Sequence, residues 1–130
     1  MTGEAPEAPR KLSPEVRRSL RAVHDGTASE TDLQRVVIQY AKDHGWLVHH
    51  ASRAKVKDGR WVTPVWGHPG WPDLALTRDG RLLLLELKAK AGSTSDEQDR
   101  WLHHLGKVGG PVHVGVYRPA DWPELKRLLR

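Results

Sequence analysis

The sequence predicts an α/β domain in which a central mixed sheet is flanked by helices. Segments with apolar residues at helical spacing alternate with shorter runs rich in leucine and valine. Glycine and proline separate these runs, as expected of loops. The longest run, residues 81–88, directly follows Asp79-Gly80, a dipeptide typical of the two-residue turn between antiparallel strands. The predicted order of elements is αβββ(β)αβα.

Residues 1–28 are predicted to form a flexible basic tail that contains one short helix. The first twelve residues are rich in proline, alanine and glutamate. Ser13-Pro14-Glu15 then places a capping serine, a proline at the first helical position and an acid near the positive end of the helix. This helix is expected to end at Asp25-Gly26 and to be an appendage, so that the main domain spans residues 29–130.

The main domain begins with a helix that Ser29 and Asp32 are expected to cap as a capping box. Ser95 and Gln98 have the same spacing at the start of a second helix. Glycines follow the apolar stripes of both helices and are typical helix ends. The strands are expected at residues 46–50, 60–66, 73–77, 81–88 and 111–117, and a last basic helix at residues 121–130.

Composition limits the kinds of site that the chain can form. Its 130 residues correspond to one domain with a hydrophobic core. The absence of cysteine excludes disulfides, thiolate zinc sites and iron–sulfur clusters. Any metal must therefore be held by carboxylate, histidine or backbone oxygen. No apolar run is long enough for a membrane span, and the N-terminus lacks the apolar core of a secretory signal, so we expect a cytoplasmic protein with no membrane partner.

The charge balance is basic, with 21 Lys and Arg against 16 Asp and Glu, a net charge of +5 and a pI near 9.8. This excess suits a polyanion such as nucleic acid, although it also serves solubility. Part of it is concentrated in one segment that could follow a phosphate backbone; a solvated hairpin is the alternative. The predicted nucleic-acid contacts are Arg53, Lys55, Lys57 and Arg60, with His50 and Ser52 on the preceding strand.

The hairpin around Asp79-Gly80 is expected to bring two carboxylates together. With a two-residue turn, Asp73 lies directly opposite Glu86, and the Cβ atoms of such pairs are about 4.5–5.5 Å apart. The two carboxylates repel each other unless a divalent cation such as Mg²⁺, which prefers oxygen ligands, lies between them. Lys88 projects from the same strand face as Glu86 and could orient or deprotonate an attacking water. An ordinary Lys–Glu ion pair is the alternative, and a longer turn would remove the register.

These residues resemble the signature of the PD-(D/E)XK nucleases, in which Pro-Asp is followed by Glu-x-Lys. Here the motifs are Pro72-Asp73 and Glu86-Leu87-Lys88. The resemblance is closer to the VRR-NUC branch (virus-type replication-repair nucleases), whose pattern adds a helix that opens with Glu, a Gly two residues before the Pro, and Ser-x-x-Gln at a later helix. The matching residues are Glu30, Gly70 and Ser95-x-x-Gln98, so the resemblance covers residues 29 to about 117. Trp71 is bulky for its place in the pattern, and the first 28 residues have no counterpart.

The resemblance implies a restriction-endonuclease-like αβββαβ core and a Mg²⁺-dependent DNA endonuclease, with Mn²⁺ as a substitute. Such an enzyme hydrolyses phosphodiester bonds. It would be structure-specific, of Holliday-junction or flap type, and would act in replication, recombination or repair as a homodimer without a nucleotide cofactor. A catalytically inert DNA-binding module and a restriction-type nuclease are the alternative functions.

The resemblance also implies roles for the matching residues. Lys88 would position the nucleophilic water, and Gln98 would hold Lys88 or the phosphate. Two simpler roles stay open: Glu30 complements the helix dipole, and Gln98 completes a capping box. The metal would be bound by Asp73, Glu86, the Leu87 carbonyl and Glu30, the last directly or through water.

The chain has six tryptophans and no phenylalanine. Trp46 and Trp101 are expected in the core. Trp66 and Trp71 flank the loop before Asp73 and could stack on an unpaired base, although packing is the simpler expectation. The stretch 61–71 is also the candidate dimer interface. The eight histidines lack the spacing of a metal site, so we expect no histidine-bound zinc.

Overall fold

The computed structural model describes residues 11–51, 54–55, 57–62 and 65–130. A short 3-10 turn, Pro119–Asp121, precedes the last helix. The helices are α1 (Pro14–Asp25), α2 (Glu30–Asp43), α3 (Asp96–Gly106) and α4 (Trp122–Leu129). The strands are β1 (Leu47–His50), β2 (Ala54–Lys55), β3 (Trp61–Val62), β4 (Leu74–Arg78), β5 (Arg81–Leu87) and β6 (Val112–Tyr117).

The main sheet has four strands in the order β1-β4-β5-β6. The pairs β1–β4 and β4–β5 are antiparallel, whereas β5–β6 is parallel, so the sheet is mixed. Strands β2 and β3 form a separate antiparallel pair outside this sheet. The predicted α/β architecture with a mixed sheet flanked by helices is confirmed, and it is compatible with a restriction-endonuclease-like core.

The turn between β4 and β5 has two residues, as predicted. Asp79 and Gly80 have φ angles of 51° and 77°, the positive values that a tight hairpin turn with the twist of the sheet requires. Arg78 pairs with Arg81, and at the other end of the ladder Leu74 pairs with Leu85. The same register, continued by one residue, sets Asp73 across from Glu86.

The core lies on one face of the main sheet. Leu74 and Leu76 of β4 and three alternate leucines of β5 are buried there against α2 and α4. Leu84 points to the opposite face and is also buried, and α3 packs on that side along β6. Yet α3 contains no fully buried residue, whereas α2 and α4 each contain several. None of the described helices is long and apolar enough to cross a membrane.

Helix α1 is part of the domain, which corrects the expectation of an appendage. Ser13 and Gly26 cap it as predicted. Its Val23 belongs to the hydrophobic core. Its Ser19 is completely buried, and the hydroxyl donates a hydrogen bond of 2.8 Å to Asp32 of α2. The packing is therefore continuous across the boundary predicted at residue 29.

The two tryptophans expected in the core differ. Trp46 is buried, and its indole N–H donates to the Leu129 carbonyl at 2.8 Å. Trp101 is only half-buried, because its indole edge turns to the loop before β4 and donates to the His68 and Pro69 carbonyls at 3.1 and 3.0 Å. The prediction that Trp101 is a core residue was therefore wrong.

Candidate functional site

Glu86 is the most unusual residue of the fold because its carboxylate is completely buried near the end of a leucine-rich strand. Its Oε1 accepts a hydrogen bond of 2.7 Å from Gln98 Nε2 and lies 3.5 Å from Lys88 Nζ. Its Oε2 is buried and has no hydrogen-bond partner within the described part of the chain. A buried carboxylate oxygen without a partner is unfavourable, and either a proton or a bound cation at this oxygen would reduce that cost.

Burial, and after it the negative charge of Asp73, raises the pKa of the Glu86 carboxyl from 4.5 to about 7. The Lys88 ammonium acts against both, lowering the pKa, but does not offset them. The charged form of Glu86 is thus under-stabilised by the protein alone. A cation placed at the two carboxylates would favour that charged form.

Asp73 lies just before β4, where the hairpin register brings it to Glu86. Its Oδ2 accepts a hydrogen bond of 2.9 Å from the Leu87 backbone N–H, which fixes the carboxylate at the end of β5. His50 Nδ1 lies 3.1 Å from the Asp73 carbonyl oxygen. The structure therefore brings together the two predicted carboxylates, while their role as metal ligands stays a prediction.

Lys88 follows Glu86 on the same face and is 9% exposed. Its backbone N–H continues the parallel ladder by donating to the Tyr117 carbonyl at 3.0 Å. Buried lysines are rare unless they are paired, and Glu86 is the partner here. This contact fits both interpretations of the sequence, an ion pair and a catalytic lysine beside a carboxylate pair.

Gln98 has two roles at once. Its Oε1 accepts from the Ser95 backbone N–H at 2.9 Å, which completes the predicted capping box of α3. Its Nε2 donates to Glu86. The resemblance implied Lys88 or a phosphate as the partner of this amide, whereas the structure places the amide on the carboxylate. Sequence spacing suggests that Gln98 faces the core, but it does not identify this partner.

Gly70 allows the loop before Asp73 to lie against the start of α3. Its φ is +104°, and a Cβ atom at this position would lie 2.6 Å from the backbone carbonyl of Glu97. A larger residue would therefore push the loop away from the turn that holds Gln98. The Gly-x-Pro-Asp pattern indicates a glycine here, but only the structure gives this reason for it.

A cavity of about 590 Å³ opens at Asp73. Glu30, in the first turn of α2, lines it together with Asp73 and Gln98. The predicted contribution of Glu30 is thus directed to the same space, although Glu30 also stands where an acid complements the helix dipole. Leu87, whose carbonyl is the remaining predicted ligand, lies in β5 between Glu86 and Lys88.

The predicted DNA contacts are only partly described. Ser52 and Arg53 lie outside the described residues, and Lys55 is in β2. Lys57 and Arg60 are exposed, but Arg60 Nε lies 2.6 Å from the Asp58 carboxylate, which offsets its charge. His50 lines the cavity at Asp73.

A hard divalent cation fits the donors that are present. Among the described residues, no group of three or more His, Asp or Glu side chains is placed to hold a metal ion. Mg²⁺ commonly binds through one or two carboxylates and keeps several waters. Asp73 and Glu86, whose Oε2 has no partner among the described residues, match that requirement. A metal held by protein side chains alone would need more ligands than the described residues place together.

No protein-family model matches the chain, and a comparison with curated proteins gave no match.

Proposed function

We propose that the chain is a metal-dependent nuclease that hydrolyses phosphodiester bonds in DNA. The observation that supports this most directly is the buried Glu86 carboxylate, whose Oε2 has no partner among the described residues and whose neighbours are Asp73 and Lys88. A carboxylate pair with an adjacent buried lysine is unfavourable in a fold selected for stability alone. It is the arrangement that the PD-(D/E)XK resemblance implies.

Each site residue then has a defined task. Asp73, Glu86 and the Leu87 carbonyl would hold Mg²⁺ or Mn²⁺, with Glu30 reaching it directly or through water. Such an ion would neutralise charge at the phosphate and activate water as a nucleophile. Lys88 would orient the attacking water and stabilise the negative charge that develops on the phosphate. Gln98 holds the Glu86 carboxylate in place through its 2.7 Å hydrogen bond.

The test is plasmid nicking with purified protein in Mg²⁺, in Mn²⁺ and in EDTA. Cleavage by the wild type should require the ion, and Asp73→Asn and Glu86→Gln should each abolish it because each removes ligand charge. Asp79→Asn is the matched control: it makes the same carboxylate-to-amide change at the exposed far end of the same hairpin. Ion-independent cleavage, or equal activity in all variants, would contradict the proposal. DNA binding without cleavage would favour an inert binding module.

The DNA structure that is cut can be found with labelled duplex, flap, fork and four-way-junction substrates. The described residues of one chain form one such site, so symmetrical cutting of a junction requires a homodimer with two sites in matched orientation. Light scattering gives the mass directly. If one copy of the protein, with a mass of 14.7 kDa, is found both free and bound to a junction, symmetrical junction cleavage is excluded. A flap or single-strand nuclease is then favoured.

A further inference from the structure

Exposed apolar side chains are concentrated next to the candidate site. Six large hydrophobic residues of the described chain are exposed, and four of them lie between residues 61 and 71. Three of these four, Trp61, Val65 and Trp71, line the cavity at Asp73. The two tryptophans of this set, Trp61 and Trp71, are here called the aromatic wall. Trp61 is 62% exposed and Trp71 45% exposed. Clustered exposed apolar side chains on a domain surface commonly mark a binding site.

The position of Trp71 relative to the site is fixed by packing. Its ring packs edge to face against the Trp101 ring, with centroids 5.2 Å apart. The Trp101 indole N–H in turn donates hydrogen bonds to the His68 and Pro69 carbonyls. Only Pro72 separates Trp71 from Asp73 along the chain. The aromatic wall and the candidate metal ligand Asp73 therefore line the same cavity.

The remaining side of the cavity is polar. Thr31 and Gln34, on the first turns of α2, line it. A hydroxyl and an amide offer both donors and acceptors. The cavity thus combines aromatic surface with hydrogen-bonding groups of both kinds. Its volume of about 590 Å³ is within the range of small-molecule pockets.

We propose that the aromatic wall stacks on an unpaired base of the DNA strand next to the phosphodiester that is cut. Bases inside a continuous duplex are already stacked on each other and present only their edges, whereas an unpaired base exposes a face that tryptophan can cover. Thr31 and Gln34 would contact the edge of that base. This inference rests on the proposed nuclease function and narrows its substrate to single strands, flaps and forks.

The test measures binding in EDTA, so that its result does not depend on cleavage. A labelled oligothymidine single strand and a labelled duplex are titrated with protein at one fixed salt concentration, and anisotropy gives Kd. Trp61→Ala should weaken single-strand binding about 5- to 150-fold, the range that corresponds to loss of one base–aromatic stack. Duplex binding should change less than about twofold, because electrostatic contacts to phosphate dominate it.

Three variants make the result specific. Trp61→Phe keeps a stacking ring and should restore most of the affinity. Trp71→Phe tests the second ring without removing its packing on Trp101. Trp66→Ala is the matched control, since Trp66 is fully exposed in the same segment but does not line the cavity; it should leave both Kd values unchanged. A thermal melt of each variant shows that the fold is retained.

Several outcomes would overturn the inference. Equal weakening of single-strand and duplex binding by Trp61→Ala would make the wall a general DNA contact. No weakening of either would mean that nucleic acid does not use the wall. A wild-type dimer that becomes a monomer in Trp61→Ala would make the wall an interface between copies. Failure of the nuclease proposal is separate, because it appears as absent cleavage while the single-strand preference in EDTA persists.

Discussion

At the scale of single residues, the two oxygens of Glu86 have different surroundings. Oε1 is bonded to Gln98 and lies near Lys88, whereas Oε2 is buried without a partner among the described residues. Together with the nearby Asp73 charge, this burial favours the protonated acid. The folded protein without metal therefore binds a proton at Glu86 over a pH range in which the unfolded chain does not.

The raised pKa gives a pH-dependent prediction for Glu86→Gln. Because the pKa of Glu86 rises from 4.5 to about 7 on folding, its stabilising contribution is complete below the unfolded value and is lost as pH rises through the folded one. In EDTA at pH 8, Glu86→Gln should therefore be more stable than wild type by up to about 3 kcal/mol, and the difference should vanish near pH 4.5. Urea unfolding of both proteins at the two pH values measures this. A difference that does not depend on pH would show that Glu86 titrates normally.

Lys88→Ala should lower turnover by about 10²- to 10⁴-fold, the contribution of a positioned acid–base or charge-stabilising group. DNA affinity should change little, since the ammonium is directed to Glu86 and not to solvent. Lys88 also lowers the pKa of Glu86, so its removal should move the pH–rate profile to higher pH. Lys90→Ala, at an exposed position two residues further on, is the matched control. A loss below about threefold at saturating Mg²⁺ would leave Lys88 as an ion-pair partner only.

At the scale of elements, α1 and α2 are joined through a single carboxylate. Asp32 Oδ2 accepts from the Ser29 backbone N–H at 2.9 Å to close the capping box of α2. Its Oδ1 accepts from the buried Ser19 hydroxyl of α1 at 2.8 Å. The backbone hydrogen bond, followed by those of the serine hydroxyls, lowers the pKa of Asp32 despite some desolvation. One side chain thus caps one helix and anchors the other.

Asp32→Ala is expected to cost about 2–4 kcal/mol, because it removes a cap and leaves a buried hydroxyl without an acceptor. Since the pKa of Asp32 is lowered on folding, its contribution is present above the unfolded pKa and should be lost as the pH falls below about 4. Chemical unfolding near neutrality and in acid measures both effects. Ser19→Ala and the double variant complete a cycle, and an interaction energy near zero would show that this bond does not join the helices.

The elements also show which structural features local sequence patterns can predict. The Asp79-Gly80 turn and both capping boxes were predicted and are confirmed, because each depends on residues within a few positions of one another. The turn further predicts the pairing of Asp73 with Glu86, because a two-residue loop leaves one register. The docking of α1 was missed, since its polar Ser19 is buried only through a partner on another helix.

At the scale of the whole molecule, the contacts that sequence patterns could not predict are long-range. The Arg78 guanidinium lies 4.4 Å from the centre of the Trp46 ring and donates to the carbonyls of His44, Leu129 and Arg130. It thereby joins the end of α2, the turn of the hairpin and the end of α4. A lone arginine beside a turn gives no local signal of such a role. The same holds for the bond between Gln98 and Glu86, which crosses from helix to strand.

Helix α3 contains no fully buried residue. We therefore expect it to separate from the sheet by local opening, at a lower free energy than the opening of the strands beneath it. Amide hydrogen exchange should therefore be faster in α3 than in β5. Each opening takes Gln98 away from Glu86 and lets water reach the carboxylate. A cation bound there would slow exchange in α3, since it favours the closed state; the ion and the helix would thus stabilise each other without direct contact between them.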